Sequence, residues 1–149
     1  MSGIIGGAGS KSGVIGTTEL DIEEGNFTFS IVGSGGTAGS WAQTGTTGYY
    51  RKVGPLVQFS LSGYLTAKGS YATYLRVTGL PFVAAQEGIL SISYYPSTVV
   101  DAVWRTAQIV TGQSYVLFLS GSKLDVQAPW SEITTGAYLN VGGVYPTAS

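Results

Sequence analysis

An all-β fold, an antiparallel β-sandwich or jelly roll with an extended N-terminal arm, is what this sequence predicts, on three observations. Apolar and polar residues alternate with period two over short runs from Phe27 to the C-terminus. Gly and Pro interrupt these runs at short intervals, as turns do between strands. Ten Tyr, five Phe and three Trp stand among many Val, Ile and Thr, the composition of a pleated and half-buried surface.

The first 26 residues differ from the rest. Met1 to Gly16 holds six glycines, no periodicity and only short apolar pairs, so it reads as neither a signal peptide nor a self-folding unit. Glu19, Asp21, Glu23 and Glu24, four of the chain's eight carboxylates, then alternate with Leu20 and Ile22 as an extended segment with one apolar edge. Residues 1–26 are therefore expected to form an arm, and residues 27–149 one β-domain.

The strands follow in order. Residues 27–32 open the domain, and the Gly-rich stretch 33–39 closes that run. Residues 49–53 lead to a turn at Gly54-Pro55. Beyond it Val57, Phe59, Leu61 and Leu65 face one way, and Gln58, Ser60, Ser62 and Tyr64 the other. Tyr71, Thr73, Leu75 and Val77 likewise oppose Ala72, Tyr74 and Arg76, up to the turn at Gly79-Leu80-Pro81. Residues 89–95, 99–104, 107–110, 115–119 and 138–144 complete the set. Tyr115 to Leu119 is apolar on both faces, which predicts a central strand or one covered by a subunit contact.

The composition excludes several chemistries. The chain has no Cys and no His, so it can build no disulfide, zinc–thiolate site, thiol nucleophile or Ser–His–Asp triad. Net charge is −1 with no Lys/Arg cluster, which argues against nucleic acid, and no apolar run is long enough for a membrane-inserted helix. Gly6-Gly7-Ala8-Gly9-Ser10-Lys11-Ser12 falls one residue short of a phosphate-binding loop and lacks the flanking strand and helix. The acidic cluster lacks the spacing of a calcium loop, so no metal and no cofactor is expected. A glycosidase would need two facing carboxylates, for which Glu87, Asp101, Asp125 and Glu132 are the material outside the arm. Nothing in their spacing pairs them, and the expectation is a protein that is not an enzyme.

Aromatic residues are the better lead. Tyr and Trp offer a flat apolar face with one polar handle, which suits sugar rings and protein interfaces alike. Tyr64 and Tyr74 oppose the apolar sets of their strands, and with Arg76, Trp104 and Trp130 they are the candidate glycan or subunit contacts. Charged residues make up 10% of the chain, against ~25% in ordinary domains, so much of the surface is expected to lie against a partner.

Several segments together carry a resemblance. Met1-Ser2-Gly3-Ile4-Ile5-Gly6-Gly7 opens the chain, and Glu24-Gly25-Asn26-Phe27-Thr28 is similar to an E-G-x-[WF]-T entry into a first strand. Gly48-Tyr49-Tyr50-Arg51-Lys52-Val53-Gly54 resembles a G-x-Y-x-K-[IV]-G hairpin, and Thr78-Gly79-Leu80-Pro81-Phe82 a T-G-L-P-F turn. In this order the chain resembles small surface proteins of tailed-phage virions, over most of its length. The resemblance implies a homotrimeric β-sandwich on the virion surface, with the arm bound to other virion proteins of the capsid or tail through Ile4, Ile5, Lys11, Val14, Ile15, Leu20 and Ile22. Two tasks fit it. One is a capsid decoration or head-fibre protein, and the other a tail-fibre-like adhesin for a host surface glycan. A carboxylate-pair glycan-degrading enzyme and a cellular lectin-like domain are the alternatives from other classes.

Within the hairpin, Gly48 and Gly54 are expected to make the turns at its two ends. Tyr50 and Val53 are expected to pack, with Arg51 and Lys52 meeting solvent or a neighbour.

Overall fold

A computed structural model describes residues 21–95, 104–120 and 127–148. It is all-β and antiparallel. The strands are β1 (Ile22–Thr28), β2 (Ser30–Gly36), β3 (Ala42–Thr44), β4 (Thr47–Val53), β5 (Leu56–Ala67), β6 (Tyr71–Thr78), β7 (Gly88–Tyr95), β8 (Trp104–Ile109), β9 (Tyr115–Ser120) and β10 (Tyr138–Pro146). One 3-10 turn, Trp130–Glu132, precedes β10. The strands hydrogen-bond in the order β1-β4-β5-β10-β7-β8-β9-β6-β2, with β3 on the far end of β5.

Two corners fold this path back on itself until it is nearly closed. In β7, residues 91–95 pair with β10 while residues 88–90 pair with β8, so one strand serves both halves of the sheet. The second corner is Phe29. β1 pairs with β4 at one end of the path and β2 with β6 at the other, yet one residue separates them. The Phe29 N–H, lost to both ladders, donates to the Thr46 carbonyl at 2.9 Å. Phe27, Phe29 and Ile31 all point into the core across this corner. The alternation thus runs unbroken from 27 to 32 while the backbone changes partners, which is why the sequence reads there as a single strand.

The interior is the predicted inward set. Val57, Phe59, Leu61 and Leu65 of β5 are buried, as are Leu75, Val77, Val116, Phe118, Leu139 and Val141. Phe59 joins Phe27 (6.3 Å between centroids) to Tyr145 (5.7 Å), both edge to face. The Tyr145 hydroxyl donates to the Phe82 carbonyl at 3.0 Å, and burial pushes its pKa up to about 12. Full burial of one such ring is worth about 2–3 kcal/mol. β9 is the central strand expected from its two apolar faces, lying between β8 and β6 with residues 116–119 all buried.

The structure corrects the face assigned to Thr73. Between Gly33 and Gly35 the β2–β6 register shifts, and Thr73 sits in this bulge at φ +66°, exposed rather than inward. β3 was not foreseen: three residues between glycine-rich segments show no alternation. Of the expected strand 99–104, residues 99–103 lie outside the described set, and Trp104 begins β8 instead. β1 begins at Ile22 and pairs with β4 over its whole length, so the last residues of the acidic segment belong to the sheet.

Candidate functional site

The two sequence signatures, hairpin and turn, meet in space. Tyr50 points inward from β4 and its ring stands edge-on to Phe82 at 5.2 Å. Lys52, two residues on and so on the same face, places its ammonium 5.6 Å from the Phe82 ring centroid. Of the two expected environments, solvent or a neighbour, Lys52 takes the second and is 8% exposed, while Val53, on the outer face by strand parity, is half-buried. The Lys52 amine keeps a counter-charge in Asp21 at 3.8 Å. The Tyr50 hydroxyl donates to the Glu23 carboxylate at 2.6 Å, a bond that raises the Tyr50 pKa above its ordinary value. Gly48 makes no turn; it is paired within β4, and its missing side chain is where the Phe27 ring lies. Gly54 does make the turn, at φ +55°. These signature residues are engaged with one another and with β1 through ring, ion-pair and hydrogen-bond contacts.

The same alternation sends the residues between them outward. Strand register sets Asn26, Tyr49, Ser60, Gly142 and Ser91 in one row across β1, β4, β5, β10 and β7. Ser62, Asn140 and Ser93 form the next row, and Glu24, Arg51, Gln58 and Val144 the row on the other side. The other residues of its own row are all shorter than tyrosine, so Tyr49, 62% exposed, stands above them as a fin. A groove of about 460 Å³ lies along one of its sides, lined by Glu24, Asn26, Arg51 and Gln58. Another of about 480 Å³ lies along the other, lined by Ser62, Ser93 and Asn140 together with Leu61, Ile92 and Val141, and is mainly apolar. Arg51 and Glu24 form an ion pair with each other, so this charge is neutralised within the face. An aromatic fin with Asn26, Gln58 and an ion pair on one side and a mainly apolar groove edged by Ser62, Ser93 and Asn140 on the other can stack against a sugar ring while nearby polar groups hydrogen-bond its hydroxyls.

The face has two different ends. At one, Tyr64 and Tyr138 are paired across β5 and β10 with ring centroids 6.4 Å apart, and Ser62 donates to the Tyr138 hydroxyl at 2.7 Å. At the other, Ile22, half-buried Val53 and Leu56 lie in register with Val144 beside them, and Ile22, Leu56 and Val144 form an exposed apolar strip.

Of the residues singled out from sequence, Tyr64 lies on this face. Tyr74 is exposed on β6, away from it, beside Pro129 of the segment leading into the 3-10 turn. Arg76 stacks its guanidinium 4.4 Å over the Tyr115 ring. Trp130 is 2% exposed and packs on Tyr71 at 5.2 Å, so it is a core residue in this chain and offers no free face. Trp104 opens β8 opposite Ser120, and its side chain lies outside the described set. Ile4, Ile5, Lys11, Val14, Ile15 and Leu20 also lie outside the described residues. Ile22 is placed, exposed on the apolar strip. Asp101 and Asp125 are likewise outside the description, and among the described residues no three acidic side chains cluster as a metal site would require.

Sequence reasoning did not select Tyr49, Tyr138 or the Ser/Asn rows. Tyr49 had a signal, since it opposes Tyr50 in the alternation. The rows had none, because β5 and β10 lie some seventy-six residues apart in the chain at the Ser62–Tyr138 contact.

The arrangement defines a class: an antiparallel β-domain with a broad polar face carrying an aromatic fin. No family model matches the chain, and no curated protein does. Among solved structures it is similar to the Dettilon tailspike protein (gp208), with a TM-score of 0.60 at 15% identity over 84% of this chain. The chain spans 24% of that protein's length. At this identity the likeness is one of fold.

Proposed function

We propose that this protein is a non-enzymatic, tail-associated surface protein of a bacteriophage particle. It works as a homotrimer, is held to the virion by residues 1–26, and presents the Tyr49 face to a host surface glycan. The observation that carries this reading is the fold shared with a phage tailspike protein over most of the chain. The motif resemblance to small virion proteins supports it from sequence. The low charge and the exposed apolar strip of Ile22, Leu56 and Val144 support a protomer contact. The exposed Tyr49 ring, with hydrogen-bonding side chains beside it and its one ion pair closed within the face, supports a sugar ligand.

The test is the copy number of the protein in purified particles, measured by quantitative mass spectrometry against the major capsid protein, with immunogold localisation. A few copies per particle, in a multiple of three and at the tail, is the expected result. Copies in proportion to the capsid lattice would make it a decoration protein instead. Absence from particles would end the virion reading and leave the cellular lectin-like domain.

A further inference from the structure

A third groove, of about 480 Å³, lies away from the Tyr49 face, between the β5–β6 turn, the β6 bulge and the 3-10 turn. Lys68, Tyr71, Thr73, Tyr74, Trp130 and Ser131 are its main lining residues. Its floor is the edge-to-face pair of Tyr71 and Trp130. The buried Trp130 Nε1 has no hydrogen-bond partner among the described residues. Thr73 is the one described non-glycine residue at positive φ, a conformation that costs roughly 1–2 kcal/mol and that clusters at ligand sites. The bulge leaves Ala72, Thr73 and Tyr74 exposed in succession, with the Thr73 hydroxyl hydrogen-bonded to that of Ser34 and the Tyr74 ring on the rim.

Charge distinguishes this groove from the others. Arg51 and Lys52 have carboxylate partners, and Arg76 lies over Tyr115. The Lys68 ammonium instead donates to the Ser131 carbonyl at 3.3 Å, and among the described residues it has no carboxylate within ion-pairing distance. Its partial burial, which lowers its pKa, means that an anion placed beside it would be screened less than on open surface.

We infer that this groove is a binding site for an acidic saccharide unit, a sugar ring bearing a carboxylate. The ring lies against Tyr74, the carboxylate accepts from Lys68, and the Ser131 hydroxyl meets a ring hydroxyl. An aromatic face next to an amine with no carboxylate partner among the described residues selects a ligand that is both a ring and an anion. The neutralised Tyr49 face lacks that selection. The inference rests on the reading of this protein as a glycan-facing surface protein, but needs no particular location on the particle.

The experiment is ligand-observed saturation-transfer NMR on the full chain, with methyl glucuronide as probe and methyl glucoside as its neutral isostere. Saturation transfer to the glucuronide, at least tenfold weaker binding of the glucoside, and a matching loss in Lys68→Gln and Tyr74→Ala are expected. Binding that weakens as salt rises is expected as well. A Tyr49→Ala variant should bind the glucuronide like wild type, separating this groove from the outer face. Equal binding of the two sugars, no binding of either, or full binding by a folded Lys68→Gln protein would overturn the proposal. Those failures would leave the particle copy number, and so the virion reading, untouched.

Discussion

Gly48 and Gly54 bracket the same hairpin, and the physics at the two residues differs. An added Cβ at Gly48 would meet the Phe27 ring at 2.4 Å, inside a packed strand pair. At Gly54 it would meet nothing within 4 Å, and only the positive φ resists it. Gly48→Ala should therefore cost about 1–3 kcal/mol by overpacking, and Gly54→Ala about 1 kcal/mol of left-handed backbone strain. Urea denaturation midpoints check the order; a Gly54→Ala protein less stable than Gly48→Ala would contradict it. From sequence both glycines suggested turns. Only Gly54 is one, because the reason for Gly48 is a ring twenty-one positions earlier in the chain, brought opposite by the β1–β4 register. Lys52 teaches the same point. Its parity with Tyr50 was legible, but solvent and a neighbour both stayed open, and the aromatic face of Phe82 together with Asp21 decides for the neighbour.

At the scale of elements, β1 joins the N-terminal segment to the domain. Its residues 22–26, assigned to the arm from sequence, pair one for one with Val53 back to Tyr49. Glu23 and Glu24 hold Tyr50 and Arg51 of β4. A chain lacking residues 1–20 keeps every described strand and should fold with an unchanged melting temperature while losing incorporation into particles. A chain lacking residues 1–26 loses five of the seven residues of β1, and it should melt at least several degrees lower or fail to fold. Differential scanning calorimetry of the two truncations tests this; equal melting temperatures would return residues 22–26 to the arm. The acidic alternation at 19–24 was visible in the sequence. That half of it is a sheet strand was not, since a strand of Glu, Gly and Asn has poor intrinsic β-propensity and is held by its partner.

For the whole molecule, charge scarcity and the exposed apolar strip point to assembly. Ile22, Leu56 and Val144 come from three strands and are about half exposed or more in the single chain. In the proposed trimer they are covered, so Leu56→Asp with Val144→Asp should dissociate it without unfolding the protomer. Light scattering after size exclusion should then fall from three times to one times the 15.4 kDa chain mass. A wild-type protein already monomeric at that mass would dispose of the homotrimer, and a double variant that stays trimeric would move the contact elsewhere.

The division between what was local and what was long-range explains how much could be read in advance. Inward and outward sets follow from the two-residue period of an extended backbone, a property of each strand alone. Those of β5 were therefore written in the sequence, Val57 to Leu65 inward and Tyr64 outward, and so was the all-β class. The corner at Phe29, the bulge that turns Thr73 out, and the burial of Trp130 depend on which distant strand lies alongside. The same holds for the row that leaves Tyr49 standing between two grooves and for the meeting of Lys68 with Tyr74. Such neighbours are set by cross-strand register, which no local period encodes, and only the folded sheet brings them together.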